Sequence, residues 1–183
     1  MSLVDRKNVA VGAFGAGARP VLKFTGPLVM GNSIITTGSS SNQVAIENLT
    51  FDSIYTTGYE GMPDAVGVGG TDTSIRNCQF LNLSNAINAN VGPRGVLAVD
   101  NTAPVAGNIR GYFAWVQGTD QVYLGNYAAD SKFQHVLRAT AYSRLLIAKN
   151  NFTNLVTNGV IKGTLTIHRG EYVYIDGNTL NDG

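Results

Sequence analysis

Six short segments of the chain repeat one pattern: β-branched or apolar residues, then an Asn-containing turn, then often a large apolar residue. They are VAIENLTF (44–51), TSIRNCQF (73–80), VLAVDNTA (96–103), VYLGNYAA (122–129), LLIAKNNF (145–152) and VYIDGNTL (173–180). Anchored on Ile46, Ile75, Val99, Leu124, Ile147 and Ile175, the intervals are 29, 24, 25, 23 and 28 residues. Two or three positions after each anchor comes an asparagine: Asn48, Asn77, Asn101, Asn126, Asn150 and Asn178. Such self-similarity constrains the fold more than any other property of a sequence.

Each interval holds two or three short strands and no helical linker, so the repeats are not hairpins or βαβ units. One coil of a right-handed parallel β-helix takes about this many residues and stacks on the next at about 4.8 Å. Asn tolerates the left-handed backbone of a tight bend, and its side-chain amide can bond to the neighbouring coil. The expected fold is therefore all-β, a right-handed parallel β-helix of about six to eight coils forming one domain over residues 1–183. Composition agrees. Only 14% of residues are charged, against about a quarter in ordinary soluble domains, while Gly (22) and Asn (18) are abundant. Amphipathic helices want the opposite.

The formal net charge is +1, without a basic tail or acidic run, so the sequence gives little support to nucleic-acid binding. No apolar stretch approaches the roughly 20 residues of a membrane span, and no membrane insertion is expected. The single cysteine, Cys78, cannot form an internal disulfide and reads as a buried thiol. The Gly-rich segments 12–17 and 67–70 lack a phosphate loop's Lys-Ser/Thr and read as turns.

The repeat, with Ala18-Arg19-Pro20-Val21-Leu22-Lys23 followed by Ser41-Asn42-Gln43-Val44-Ala45-Ile46, resembles the pectate-lyase-like superfamily of parallel β-helix proteins from Val21 onward. The resemblance implies a carbohydrate-active protein, mostly bacterial, of the lyase, hydrolase, epimerase or sugar-binding kind, working outside the cell or at its surface. The fold alone does not select among these chemistries.

Strand alternation assigns the faces. With the anchors inward, Glu47, Arg76 and Asp100 form an outward ladder, and Tyr123, Leu146 and Tyr174 a partly exposed apolar stripe. About twelve residues before the anchors, Ile87, Tyr112, His135 and Lys162 or Gly163 fall side by side. Three residues later come Asn90, Trp115, Arg138 and Leu165 or Thr166. This strip gathers the only Trp, a His, an Arg and a Lys, and continues to His168 and Arg169. His135 and Arg138 can both face solvent only if the chain turns a corner or bulges between them. For Lys162, inward Ile161, Gly163, Leu165 and Ile167 leave Lys162, Thr164, Thr166 and His168 outward. The segment 134–138 followed by 162–168 also resembles a pattern of bacterial β-helix proteins in which His and Arg on one coil meet Lys on the next.

Such a strip suits an anionic, uronic-acid polysaccharide. Arg138 and Lys162 would neutralise a carboxylate, and Trp115 and Tyr112 would stack on sugar rings. His168, Arg169 and Asn90 would extend the binding surface. In a lyase-like elimination, His135, Lys162 or Arg138 would be the base and Tyr112 the acid. The paired-carboxylate signatures of hydrolases are absent. No metal ligand set is assigned, although calcium is possible: Asp64, Asp72 and Asp100 are scattered, yet loops can converge. Residues 55–73 read as an insertion between coils, either a surface loop or one wall of a groove. Met1-Ser2-Leu3 reads as an expression scar. The chain opens without an amphipathic helix and stops after a strand, so it is expected to be a fragment of a longer β-helix, or to have its ends covered by an oligomer. A non-catalytic carbohydrate-binding or adhesion module and a trimeric, phage tailspike-like structural protein are the alternatives.

Overall fold

The computed structural model describes residues 1–57, 61–105, 108–154 and 162–182. The chain is a parallel β-helix: every pairing between its named strands is parallel, and no α-helix occurs among the described residues. One face stacks β1 (Lys7–Gly12), β4 (Asn42–Glu47), β7 (Thr71–Arg76), β10 (Arg94–Val99), β12 (Ala114–Leu124), β14 (Leu137–Ala148) and β17 (Gly170–Asp176). A second, 7-stranded face stacks β2 (Val21–Phe24), β5 (Thr50–Ser53), β8 (Gln79–Phe80), β11 (Thr102–Ala103), β13 (Tyr127–Ala129), β15 (Asn151–Asn154) and β18 (Thr179–Asp182). The third holds β3 (Ser33–Thr37), β6 (Asp64–Val68), β9 (Ile87–Ala89), the first residues of β12 and of β14, and β16 (Leu165–Ile167). Full three-strand turns run from β1 to β16.

The corners have a local cause. Between the first and second faces one residue per coil adopts the left-handed conformation: Asn48, Asn77, Asp100, Gly125, Lys149 and Gly177, with φ between 48° and 66°. Asn, Asp and Gly meet that demand at low cost. A second left-handed position opens the first-face strands, at Asn8, Gln43, Asp72, Gly95, Asp120, Arg144 and Tyr172. Between the third face and the first, β12 runs on without a break, and its pairing with β14 shifts register between Val116 and Gly118. Gly118 has φ 101°, and a Cβ there would stand 2.1 Å from the Pro93 carbonyl oxygen, so only glycine fits.

The asparagine next to the first corner builds a ladder. Asn101, Asn126 and Asn150 donate through Nδ2 to Oδ1 of Asn126, Asn150 and Asn178, at 3.0, 2.9 and 2.8 Å. Each Nδ2 also donates back across the coil, Asn101 to Ile75 O, Asn126 to Ala98 O, Asn150 to Tyr123 O and Asn178 to Ile147 O. Leu49 and Cys78 hold the ladder position in the earlier coils, and Cys78 Sγ lies 3.3 Å from Arg76 O and 3.7 Å from Ile46 O, the carbonyl that later coils reach with an amide. Asn48 and Asn77 belong to the left-handed row instead and bond each other at 2.7 Å. The six asparagines of the repeat thus occupy two different positions. Burial pushes the Cys78 thiol up to about 11, consistent with an inert core sulfur.

The sequence-based register needs correction in two coils. The inward residues are Val11, Ile46, Ile75, Ala98, Tyr123, Ile147 and Ile175, so Ala98 and Tyr123 replace the expected anchors Val99 and Leu124. The outer positions Leu97, Val99, Val122 and Leu124 are apolar too, which erases the contrast that alternation depends on. Tyr123 is therefore fully buried, its hydroxyl donating to Gln121 Oε1 at 3.1 Å. The apolar stripe is Leu97, Val122, Leu146 and Tyr174. Glu47 and Arg76 do pair, at 4.0 Å, but Val99 follows them, and Asp100 sits at the corner. Residues 55–73 are not simply an insertion, because they include β6 and the start of β7. Gly67 lies within β6 rather than in a turn.

Candidate functional site

The strip singled out above lies on the third face, and a corner makes it. Phe113 and Ala114 are both buried, as are Val136 and Leu137. Two consecutive inward residues break strand alternation, so the residues flanking them, Tyr112 with Trp115 and His135 with Arg138, fall on one side of the chain. The tension between His135 and Arg138 is resolved by this turn. Thr164 is buried beside Leu165 at the equivalent place, against its expected outward orientation. Ile161 lies outside the described residues.

Pairing gives one row as Thr36, Gly67, Asn88, Trp115, Arg138 and Thr166. Asn88 rather than Asn90 is therefore in register with Trp115, and Asn85 rather than Ile87 precedes Tyr112, whose backbone N–H donates to Asn85 Oδ1 at 2.7 Å. The expected alignment was two residues late in β9 because Ile87 is a core residue with 0% exposure and stands in register with Ala114. Asn90 still borders the same face, lining a cavity together with Trp115.

Arg138 is the best-held cation of the face. Its Nη1 donates to the Tyr112 hydroxyl at 3.0 Å, and that hydroxyl donates to Gln134 Oε1 at 3.1 Å. Its guanidinium carbon sits 6.0 Å from the Trp115 ring centroid, and the Tyr112 and Trp115 rings are 5.5 Å apart at 45°. A planar guanidinium against an indole is a favoured arrangement. It leaves Arg138 Nε and Trp115 Nε1 buried without acceptors. The Tyr112 hydrogen bond and the Trp115 ring together hold the guanidinium. Tyr112 is only 4% exposed and both roles of its hydroxyl are taken, so it positions Arg138.

His135 is fixed through Nδ1, which lies 3.0 Å from Gly163 O and 2.6 Å from Thr166 Oγ1. A carbonyl only accepts, so Nδ1 carries the proton, and Nε2 keeps its lone pair. Burial lowers the imidazole below its ordinary value, and the positive charges of Lys162, Arg138 and His168 lower it further, against the opposing bond to Gly163. The native state thus binds this proton more weakly than the unfolded chain. Stability is unaffected above about pH 6.5 and falls as pH drops below that value. A thermal melting series from pH 8 to pH 5 is expected to fall more steeply for the wild type than for His135→Gln; equal slopes would contradict the assignment.

Lys162 is half-buried, and its carbonyl accepts from Asn154 Nδ2. His168 and Arg169 are exposed and line, with Arg138, Thr140 and Ala141, a cleft of about 350 Å³. The structure therefore brings Tyr112, Trp115 and Arg138 into contact, ties His135 to Gly163 and Thr166, and places His168 and Arg169 beside Arg138.

Sequence reasoning missed the other half of the face. Asp64, 4% exposed, accepts from Asn85 Nδ2 at 2.7 Å and Asn85 N at 3.1 Å through Oδ1, and from Asn88 Nδ2 at 2.6 Å through Oδ2. Burial raises its carboxyl above the ordinary value, opposed by these donors. It borders a cavity of about 360 Å³ with Met30, Met62, Asn88, Asn90 and Trp115. In the sequence, Asp64 stands out only as a scattered calcium-ligand candidate. The spacing of Asn85 and Asn88 to Tyr112 and Trp115, one repeat each, was the available signal.

Among the described residues, no three His, Cys, Asp or Glu side chains gather to hold a metal ion. Asp64 belongs to the third face, while Asp72 and Asp100 stand at two different left-handed corners, so the three do not form a calcium cage. No family model, curated protein or solved structure matches the chain.

Proposed function

We propose that the face built from β3, β6, β9, β12, β14 and β16 binds an extended anionic polysaccharide of the uronic-acid type, outside the cell or at its surface. The observation that carries this reading is Arg138, held between the Trp115 ring and the Tyr112 hydroxyl with His168 and Arg169 in the adjoining cleft. A guanidinium fixed in this way loses little freedom on gripping a carboxylate, and the neighbouring aromatic surface suits a sugar ring. The kinship this reading favours is with pectate-lyase-like β-helix proteins.

The chemistry that fits is eliminative cleavage. Arg138 and Lys162 neutralise the uronate carboxylate, and His135 Nε2 takes the proton from the adjacent carbon. The bond from the next carbon to the leaving oxygen breaks as a carbon–carbon double bond forms, and water protonates the leaving oxygen. Since the Tyr112 hydroxyl is engaged by Gln134 and Arg138, it is a positioning group here, not the acid. That absence of a placed acid favours a second reading, a binding module without catalysis.

Native gels containing alginate, pectate, chondroitin sulfate or a neutral glucan test the binding. One acidic polymer is expected to retard the wild type, and the Arg138→Ala/Lys162→Ala variant is expected to bind it about 10- to 100-fold more weakly, as follows from losing one or two charge-assisted contacts. Equal retardation of both proteins would refute the site. Ultraviolet absorbance of an unsaturated product, lost in His135→Ala, separates the lyase from the binding module.

A further inference from the structure

We infer that the cavity around Asp64 is a subsite for an uncharged sugar residue, so that the polymer bound by this face carries a neutral residue beside its acidic ones. The inference rests on the polysaccharide reading above and adds to it the composition of the chain that fits.

The third face is divided in charge along its length. At one end stand Arg138, Lys162, His168 and Arg169. At the other, the Asp64 carboxyl is the only charged group among the described residues that line the cavity, surrounded by Ser84, Asn85, Asn88 and Asn90. The cavity volume of about 360 Å³ falls in the ordinary range of small-ligand sites, roughly 300–1,000 Å³. Carboxyl and amide groups offer both acceptors and donors in fixed directions, which is what vicinal hydroxyls need. The Asp64 carboxyl is held by three donors from Asn85 and Asn88, so it cannot swing away. A uronate in the same cavity would set a second carboxylate against it with no cation among the described lining residues to offset the charge, and like charges disfavour each other in a buried site. An uncharged pyranose meets no such penalty.

The spacing agrees. Asn88, Trp115 and Arg138 are consecutive members of one row. With about 4.8 Å between rungs, Asn88 and Arg138 are about 10 Å apart along the axis, room for adjacent sugars of an extended chain. Trp115 lies between the two halves, lining the cavity and contacting the guanidinium. Its indole serves both subsites.

Trp115 is the sole tryptophan, so its emission reports on this place alone. The test is a fluorescence titration with a panel of uncharged gluco-, manno- and galacto-oligosaccharides, with oligogalacturonate, and with chondroitin oligosaccharides, which alternate uronate and uncharged N-acetylhexosamine. Expected are a saturable response to at least one uncharged oligosaccharide and tighter binding of the alternating chain than of oligogalacturonate. Asn88→Ala and Asp64→Asn should each weaken the uncharged ligand by about tenfold; Asn88→Ala should leave oligogalacturonate unchanged, and Asp64→Asn, which removes the opposing charge, should tighten it, with the fold checked by circular dichroism. A response to oligogalacturonate with none to any uncharged sugar overturns the subsite while leaving the anionic site standing. Response to an uncharged sugar alone, lost in Asn88→Ala, supports the subsite and overturns the anionic reading. Silence from the whole panel overturns both.

Discussion

Asn126→Ala is expected to cost about 3–5 kcal/mol, measured as a shift of the denaturant midpoint at unchanged slope. The size follows from what one side chain holds. Its Oδ1 accepts from both the backbone N–H and the side-chain amide of Asn101, and its Nδ2 donates to Ala98 O and Asn150 Oδ1. All of these groups are buried, and each buried polar group left unpaired costs about 1–3 kcal/mol. The losses are not independent, which holds the total below their sum. Asn126→Cys should be milder, because Cys78 already fills the same position two coils earlier with a thiol within reach of the Ile46 and Arg76 carbonyls. A loss under about 1 kcal/mol for the alanine variant would mean that water or a local shift replaces the ladder.

Phe80→Ala is expected to cost about as much, 3–5 kcal/mol, from the volume removed. Phe51, Phe80, Phe113 and Phe152 form an almost fully buried stack through the core, with Phe80 5.5 Å from Phe51 and 6.2 Å from Phe113 between ring centroids. In a solenoid each coil is stabilised mainly by its neighbours, so a hole at Phe80 weakens the link between the coils on either side. Urea unfolding should show an earlier midpoint and a broader transition than the wild type. Hydrogen exchange should accelerate first in β5, β8 and β11. An unchanged midpoint would show that the stack closes over the gap. Since Phe113 is the residue after Tyr112, the same variant is expected to loosen the corner that presents Arg138.

The two failures of sequence reading have one origin. Val99 stands in for Ala98 and Leu124 for Tyr123, because the outer surface there is itself apolar and an aliphatic residue lies directly beside the true inward one. The left-handed residue was the better landmark: aligning Asn48, Asn77, Asp100, Gly125, Lys149 and Gly177 gives the register of the first face directly. That row was hidden because Asn48 and Asn77 resemble the ladder asparagines one position further on. On the third face, strands are short and flanked by corners, so counting from an anchor was correct for Trp115 and Arg138 and two residues late for Asn90.

What the sequence by itself determined was the architecture: a period of about 26 residues, too short for βαβ units and rich in asparagine, admits few folds besides a stack of parallel coils. It also marked the face on which Tyr112, Trp115, His135 and Arg138 stand, because coils of nearly equal length superpose residues of equal phase. Tertiary structure alone decided the contacts within that face. The turn through Val136 and Leu137 puts His135 and Arg138 on one side, the indole of Trp115 takes the guanidinium, and the amides of Asn85 and Asn88 close around Asp64. These depend on how the chain bends at each corner and on which side chains then fall within hydrogen-bond reach, a matter of a few ångströms that the period of a repeat does not encode.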